Sequence, residues 1–146
     1  MNAIRYINNQ TAQENGMKIL VGYKGTNVGK DLMDIAVKHA KAFDGEILIV
    51  TSMVGGEKSE NEEIFKAEKN LENAKAYFDN YAVNSKTHLL VRGLEAGEDI
   101  VRFAKENEVD EIIIGVRSRS KVGKLIFGST AQVVILQAPC PVLTVK

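Results

Sequence analysis

A chain of 146 residues is long enough for one domain with a buried core, and 45% hydrophobic with 26% charged residues is typical of a globular protein. The 19 basic residues balance the 19 acidic ones, so no overall field favours nucleic acid or an acidic membrane as a partner. The longest apolar runs have the length of a strand, whereas a membrane span needs about 20 residues. The one cysteine, Cys140, excludes an internal disulfide and a zinc site of several thiolates.

Residues 1–16 differ from the rest of the chain. They show no hydrophobic period and end in Asn15-Gly16, so we expect a flexible or loosely docked extension. They are polar and lack the apolar segment of a secretory signal, so the expected compartment is the cytoplasm. Residues 17–146 contain neither a repeat nor a linker, which predicts one domain.

Five short apolar runs predict strands at residues 18–23, 47–50, 89–91, 111–115 and 142–145. Between them, apolar residues recur at steps of three and four, which predicts helices around residues 32–43, 64–81, 100–104 and 133–136. Alternation of helices with near-continuous apolar strands predicts an α/β domain whose parallel sheet carries helices on both faces.

Two loops, residues 22–30 and 115–130, are rich in glycine, hydroxyl and basic residues. They would face each other if the strands follow the order 3-2-1-4-5, which is common among Rossmann-like folds. In such a sheet, ligands bind beyond the carboxyl ends of the strands, where the strand order reverses. A ligand crevice is therefore expected between the first and fourth strands.

The second loop has the features of a phosphate site. Gly128, Ser129 and Thr130 lie where the fourth helix should begin, so close backbone approach, a helix N-terminus and two hydroxyls coincide. Four basic side chains add a positive local field, namely Arg117, Arg119, Lys121 and Lys124. An equally good interpretation of these residues alone is that Ser129 or Thr130 caps the helix and the basic residues are a solvated face.

The segment from Gly115 to the end resembles the carboxyl-terminal signature of the universal stress protein family. That pattern is Gly, two residues, Gly, nine residues, then Gly and Ser or Thr; Gly115, Ser118, Gly128 and Ser129 stand at this spacing. Residues 139–143, Pro-Cys-Pro-Val-Leu, match the family's ending. Upstream, residues 18–21, 93–100 and 110–115 resemble its first strand, the start of its third helix and its fourth strand.

The resemblance implies a single Rossmann-like domain of the adenine nucleotide alpha hydrolase type, with five parallel strands in the order 3-2-1-4-5. It implies ATP, ADP or AMP as ligand, with or without Mg²⁺, and a nucleotide-dependent role in the stress response. It also implies a homodimer, because pairing through the apolar edge strand 142–145 would remove its exposure.

The nucleotide-binding residues that the resemblance implies fall into two groups. The phosphates and ribose would lie on the second loop, at Gly115, Arg117, Ser118, Gly128, Ser129 and Thr130. The adenine would be bordered by the ends of the first two strands, at Gly22, Tyr23, Lys24 and Ser52.

Two positions depart from the family pattern. Ser118 replaces a glycine, and Lys24 replaces an acidic residue that commonly helps to hold the nucleotide or its metal. Lys24 could instead pair with a phosphate. Two functions therefore stay open: a nucleotide-binding regulatory protein, or a dimeric interaction or scaffold protein that has lost the ligand.

Other nucleotide and phosphate folds are disfavoured. Residues 24–31 lack the spacing and the hydroxyl of a P-loop, and no G-x-G-x-x-G occurs. A phosphoacceptor receiver domain needs acidic residues where Lys24 and Arg92 stand. His39 is expected to pack on a helix, His88 has no evident partner, and Cys140 resembles a buried filler. The sequence thus predicts no dedicated enzyme, at most slow ATP hydrolysis or phosphate transfer.

Overall fold

The computed structural model of the protein describes residues 16–25, 29–56, 60–116 and 127–146. Within these residues strands and helices alternate along the chain: β1 (Lys18–Gly22), α1 (Gly29–Ala42), β2 (Glu46–Met53), α2 (Glu60–Asn80), β3 (Ser85–Val91), α3 (Ala96–Glu106), β4 (Glu111–Gly115), α4 (Ser129–Gln137) and β5 (Val142–Val145). The strands form one parallel sheet in the order β3-β2-β1-β4-β5. The predicted α/β class and strand order are confirmed. The predicted extension falls, apart from Gly16, outside the described residues.

The sheet separates two apolar cores because successive side chains of a strand point to opposite faces. Ile19 and Val21 of β1 pack with α1 and α2, in a cluster that includes the fully buried Phe78. Leu20 of β1 packs on the other face with α3 and α4, in a cluster that includes Val134. Strands β1, β2 and β4 are therefore covered on both faces, which explains their continuous apolar runs.

The sequence placed the start of β3 too late, at residue 89. The strand begins at Ser85, and Lys86 and Thr87 are exposed because β3 is an edge strand with its first half turned partly to solvent. Half-polar strands lack the continuous apolar signal of central ones. The predicted third strand was therefore only the apolar half of the real one.

The buried stripe of α1 also differs from the predicted one. Phe43 follows the end of the helix and is 53% exposed, whereas Met33 and Val37 are buried. The buried face of α1 is formed by Leu32 and Ala36 together with the residues that follow each of them, so it is rotated relative to the predicted face. No helix of the described ranges is both long and apolar enough to cross a membrane.

Candidate functional site

A cleft of about 390 Å³ opens at the carboxyl ends of β1, β2 and β4. Gly22, the last residue of β1, is in register with Val50 of β2 and Ile114 of β4, so β4 extends one residue and β2 three residues beyond the end of β1. Eight of the ten residues implied by the resemblance line this cleft: Gly22, Tyr23, Lys24, Ser52, Gly115, Gly128, Ser129 and Thr130. The other two, Arg117 and Ser118, lie outside the described residues.

One end of the cleft is formed by the start of α4. Gly128 is the N-cap residue and its carbonyl accepts the first helical hydrogen bond, from the N–H of Gln132 at 3.0 Å. The N–H groups of Ser129, Thr130 and Ala131 therefore have no partner within the helix. The alternative in which Ser129 or Thr130 is the cap is wrong, because the cap position belongs to Gly128. N–H groups at a helix N-terminus that have no partner inside the helix suit an anion.

Gly128 itself is required neither by the backbone nor by packing. Its φ of −63° is open to any residue, and a Cβ added there would meet nothing within 4 Å. A glycine at this position does, however, let a group in the cleft approach the neighbouring N–H groups closely. The residues at this end thus fit a phosphate.

The close packing of α3 on α4 fixes where α4 begins. A Cβ on Gly97 would lie 2.7 Å from Cβ of Val133 and 3.2 Å from the carbonyl oxygen of Thr130. Only a glycine allows this approach, since carbon atoms normally stay at about 3.5–4.0 Å. Gln132 also donates from Nε2 to the carbonyl of Phe127 at 3.0 Å, which fastens the residue before the cap.

The first strand supplies the floor and one wall. The ring of Tyr23 packs so closely on α1 that a Cβ on Gly29 would come within 2.9 Å of it. Tyr23 is only 9% exposed, and this burial raises the pKa of its phenol. Its main chain is also engaged: the N–H donates to Val50 at 3.0 Å, and the carbonyl accepts from Oγ1 of Thr51 at 2.6 Å.

Behind the end of β2 lies a charged network that sequence reasoning missed. Oγ of Ser52 donates to Oδ2 of Asp99 at 2.7 Å, and Nε of Arg92 donates to Oδ1 at 2.7 Å. Asp99 is fully buried. Arg92 also donates from Nη1 to Glu106 at 2.9 Å; the hydrogen bonds to Glu106 and then to Asp99 raise the pKa of Arg92.

A signal for this network was present in the sequence. Asp99 lies four residues before Phe103 and three after Ala96, on the apolar stripe of α3. Acidic residues are common in the first turn of exposed helices because they suit the helix dipole, so the position of Asp99 does not by itself indicate that it is buried.

The described lining of the cleft is free of acidic side chains, whereas Lys24 stands at its edge. No cluster of three or more His, Cys, Asp or Glu that could hold a metal occurs in the part of the chain that the structure describes. A negatively charged ligand therefore meets helix N–H groups and a lysine, without a carboxylate to repel it.

The two histidines and the cysteine do not line the cleft. Nδ1 of His39 is 2.8 Å from Oε1 of Glu111, the first residue of β4, at the opposite end of that strand. The ring of His88 packs on Phe103 with centroids 4.8 Å apart. Cys140 is half-buried, and desolvation, followed by the nearby acidic residues, raises the pKa of its thiol.

The residues that carry the fold and the cleft are matched by a known family. A sequence model described as "Universal stress protein family" matches residues 17–146. The chain belongs to the universal stress protein family.

Individual universal stress proteins are similar over most of their length. One from Methanocaldococcus jannaschii is 31% identical over 140 residues, covering 88% of this chain and 81% of the relative. A solved structure from Archaeoglobus fulgidus has 37% identity and a TM-score of 0.83, covering 89% of this chain and 98% of that one. A second, from the same organism in complex with dAMP, has 32% identity and a TM-score of 0.79, covering 90% and 99%.

Proposed function

We propose that this universal stress protein binds an adenine nucleotide, ATP, ADP or AMP, in the cleft between β1 and β4. Occupancy of the cleft would act as a regulatory switch on a protein partner in the stress response. The observation that carries the proposal is the start of α4, where the three residues after Gly128 line the cleft and have N–H groups without a partner inside the helix. The related Archaeoglobus fulgidus protein in complex with dAMP supports the same class of ligand.

The proposed orientation places the phosphates on α4 and the base toward β2. Gly115, Ser129 and Thr130 would hold the phosphates and ribose, together with Arg117 and Ser118 of the same loop. Lys24 lies at the cleft edge and would pair with a phosphate. Its positive charge would neutralise the phosphate directly, in place of a metal ion held by an acidic residue. The apolar side chains of Val50 and Ile100 would border the base.

Magnesium is compatible with this site without being required by it. Mg²⁺ prefers carboxylate and phosphate oxygens and keeps several of its waters. Since the described lining carries no carboxylate, the ligands of the ion would be phosphate oxygens of the nucleotide and water molecules. No described residue beside the start of α4 is a candidate general base, so turnover would be limited to slow hydrolysis or phosphate transfer.

We also propose a cytoplasmic homodimer that forms through β5. This strand is at the edge of the sheet; the carbonyls of Val145 and of Pro141, just before the strand, accept hydrogen bonds from Val116 and Ile112 on the β4 side. By alternation, the N–H and C=O groups of Val142 and Thr144 point to the free edge. Leu136 on the preceding helix is 82% exposed, an apolar surface that a second copy would cover.

The dimer is tested by Thr144→Pro. Proline removes an N–H from the free edge and leaves the bonds to β4 intact, so the sheet should tolerate it. Analytical ultracentrifugation should show a dimer for the parent protein and a monomer for the variant. A parent protein that sediments as a monomer, or a variant that still dimerises, would argue against pairing through β5.

The nucleotide site is tested by calorimetric titration of nucleotide-stripped protein with ATP, with and without Mg²⁺. The double variant Gly128→Ala, Ser129→Ala should lose binding because its new side chain narrows the approach to the N–H groups. Gln137→Ala, at the exposed far end of α4, is the matched control and should bind as the parent does. Absence of binding by the folded parent protein would instead favour a dimeric interaction or scaffold protein.

A further inference from the structure

We propose that Ser52 is a specificity-determining residue that selects a 6-amino purine, and that Asp99 and Arg92 are the positioning residues that set its polarity. This inference rests on the proposed nucleotide site and concerns its opposite end. Ser52 lines the cleft on β2, and β1 separates β2 from β4. The strands β2 and β4 are thus two strand spacings apart, about 9.5 Å, and a ligand that spans the crevice between them would reach the end of β2.

A serine hydroxyl normally rotates to donate or accept as a ligand requires. Here its hydrogen is committed, because Oγ of Ser52 donates to Oδ2 of the fully buried Asp99 at 2.7 Å. The lone pairs of Oγ are then what Ser52 can offer to a ligand. A carboxylate has no hydrogen to give back, so the direction of this bond is fixed.

Arg92 prevents the carboxylate from moving away from this role. Its Nε and Nη2 lie 2.7 Å and 2.5 Å from Oδ1 of Asp99, which leaves Oδ2 for Ser52. Both carboxylate oxygens are therefore occupied, and the acid is anchored by a guanidinium that can only donate. Arg92 is itself held on its outer side by Glu106, at 2.9 Å from Nη1.

The neighbouring hydroxyl has the same polarity. Oγ1 of Thr51 donates to the carbonyl of Tyr23 at 2.6 Å, so its hydrogen is also committed. The two side-chain hydroxyls at the β2 end of the cleft thus present lone pairs. A ligand that places an amino group there gains a hydrogen bond, whereas one that places a carbonyl there brings two acceptors together. Adenine carries an amino group at C6, and hypoxanthine carries a carbonyl.

The experiment compares AMP, IMP and dAMP by calorimetric titration of the full-length parent protein and of Asp99→Asn. The parent should prefer AMP over IMP by about tenfold, the equivalent of one hydrogen bond. In Asp99→Asn, Arg92 should keep the amide oxygen and turn the NH₂ toward Ser52, which then accepts and releases its own hydrogen to the cleft. The AMP preference should therefore be lost or reversed, an outcome that simple destabilisation would not produce.

Two further variants keep the inference testable. Ser52→Ala should bring the AMP-to-IMP ratio to within about threefold of unity even if Asp99→Asn fails to fold. Glu98→Gln, which removes an exposed carboxylate next to Asp99 on α3, is the matched control and should keep the parent ratio.

The results separate this inference from the proposed function. An unchanged AMP-to-IMP ratio in Ser52→Ala and Asp99→Asn would overturn the inference alone. A change in the AMP-to-dAMP ratio in place of the base preference would also overturn it, because Ser52 would then face the ribose. A parent protein that binds none of the three nucleotides would overturn both.

Discussion

The packing of α3 on α4 can be tested by adding one methyl group, with Gly97→Ala. The new Cβ would lie 2.7 Å from Cβ of Val133, so the helices must separate by roughly 1 Å to reach ordinary contact. Overpacking of this kind costs about 1–3 kcal/mol, and the better helix propensity of alanine offsets up to about 1 kcal/mol. We expect a net loss of about 1–2 kcal/mol in the free energy of unfolding and a melting temperature lower by about 2–8 °C.

The same displacement should weaken nucleotide binding, because it moves the free N–H groups of α4. The expected loss is about three- to tenfold in affinity, measured by calorimetric titration with ATP. Gly93→Ala is the matched control: its φ of +71° strains an alanine, yet a Cβ there meets nothing within 4 Å. That variant should lose stability and keep its affinity. Equal losses of affinity in both variants, or none in Gly97→Ala, would refute the positioning argument.

Three other substitutions test the charge at the cleft edge, the packing of Tyr23 on α1 and the pH dependence of stability. Lys24→Gln should weaken ATP by about three- to tenfold and adenosine hardly at all, in calorimetry at low and high salt, because it removes a charge near the phosphates. Gly29→Ala should lower the melting temperature, because a Cβ 2.9 Å from the Tyr23 ring forces that ring from its place. Burial, then the charge of Lys86, lowers the pKa of His88 below 6.5. The unfolded chain therefore binds that proton more strongly, so stability should fall as the pH drops below 6.5, and His88→Gln should flatten this fall in urea denaturation.

The elements that the sequence predicted well are those whose environment leaves a simple pattern. Strands β4 and β5 were placed at their observed bounds. β4 is covered on both faces, which produces an uninterrupted apolar run. The first half of β3 was missed because Lys86 and Thr87 of this edge strand are both exposed, so its polar residues resemble a loop.

The candidate site also contains some residues that a local sequence pattern predicts and others that depend on contacts between distant elements. The position of Gly128, Ser129 and Thr130 at the start of a helix could be predicted from the sequence, because this helix follows a glycine-rich loop, and all three line the cleft. The network of Ser52 and Asp99 could not be found so easily, since it joins residues 47 positions apart and depends on how α3 packs on β2. The roles of Gly29 and Gly97 likewise come from close contacts between elements, which no local pattern predicts.

In the proposed complex, the phosphates of the adenine nucleotide lie on the N-terminus of α4. The most direct measurement is the ¹H–¹⁵N correlation spectrum of the labelled protein during titration with ATP and, separately, with adenosine. If the phosphates lie there, ATP should shift the backbone amide signals of Ser129, Thr130 and Ala131 strongly, and adenosine should shift them much less. Binding of ATP that leaves these three amides unmoved, or no shifts anywhere in the spectrum, would contradict this placement.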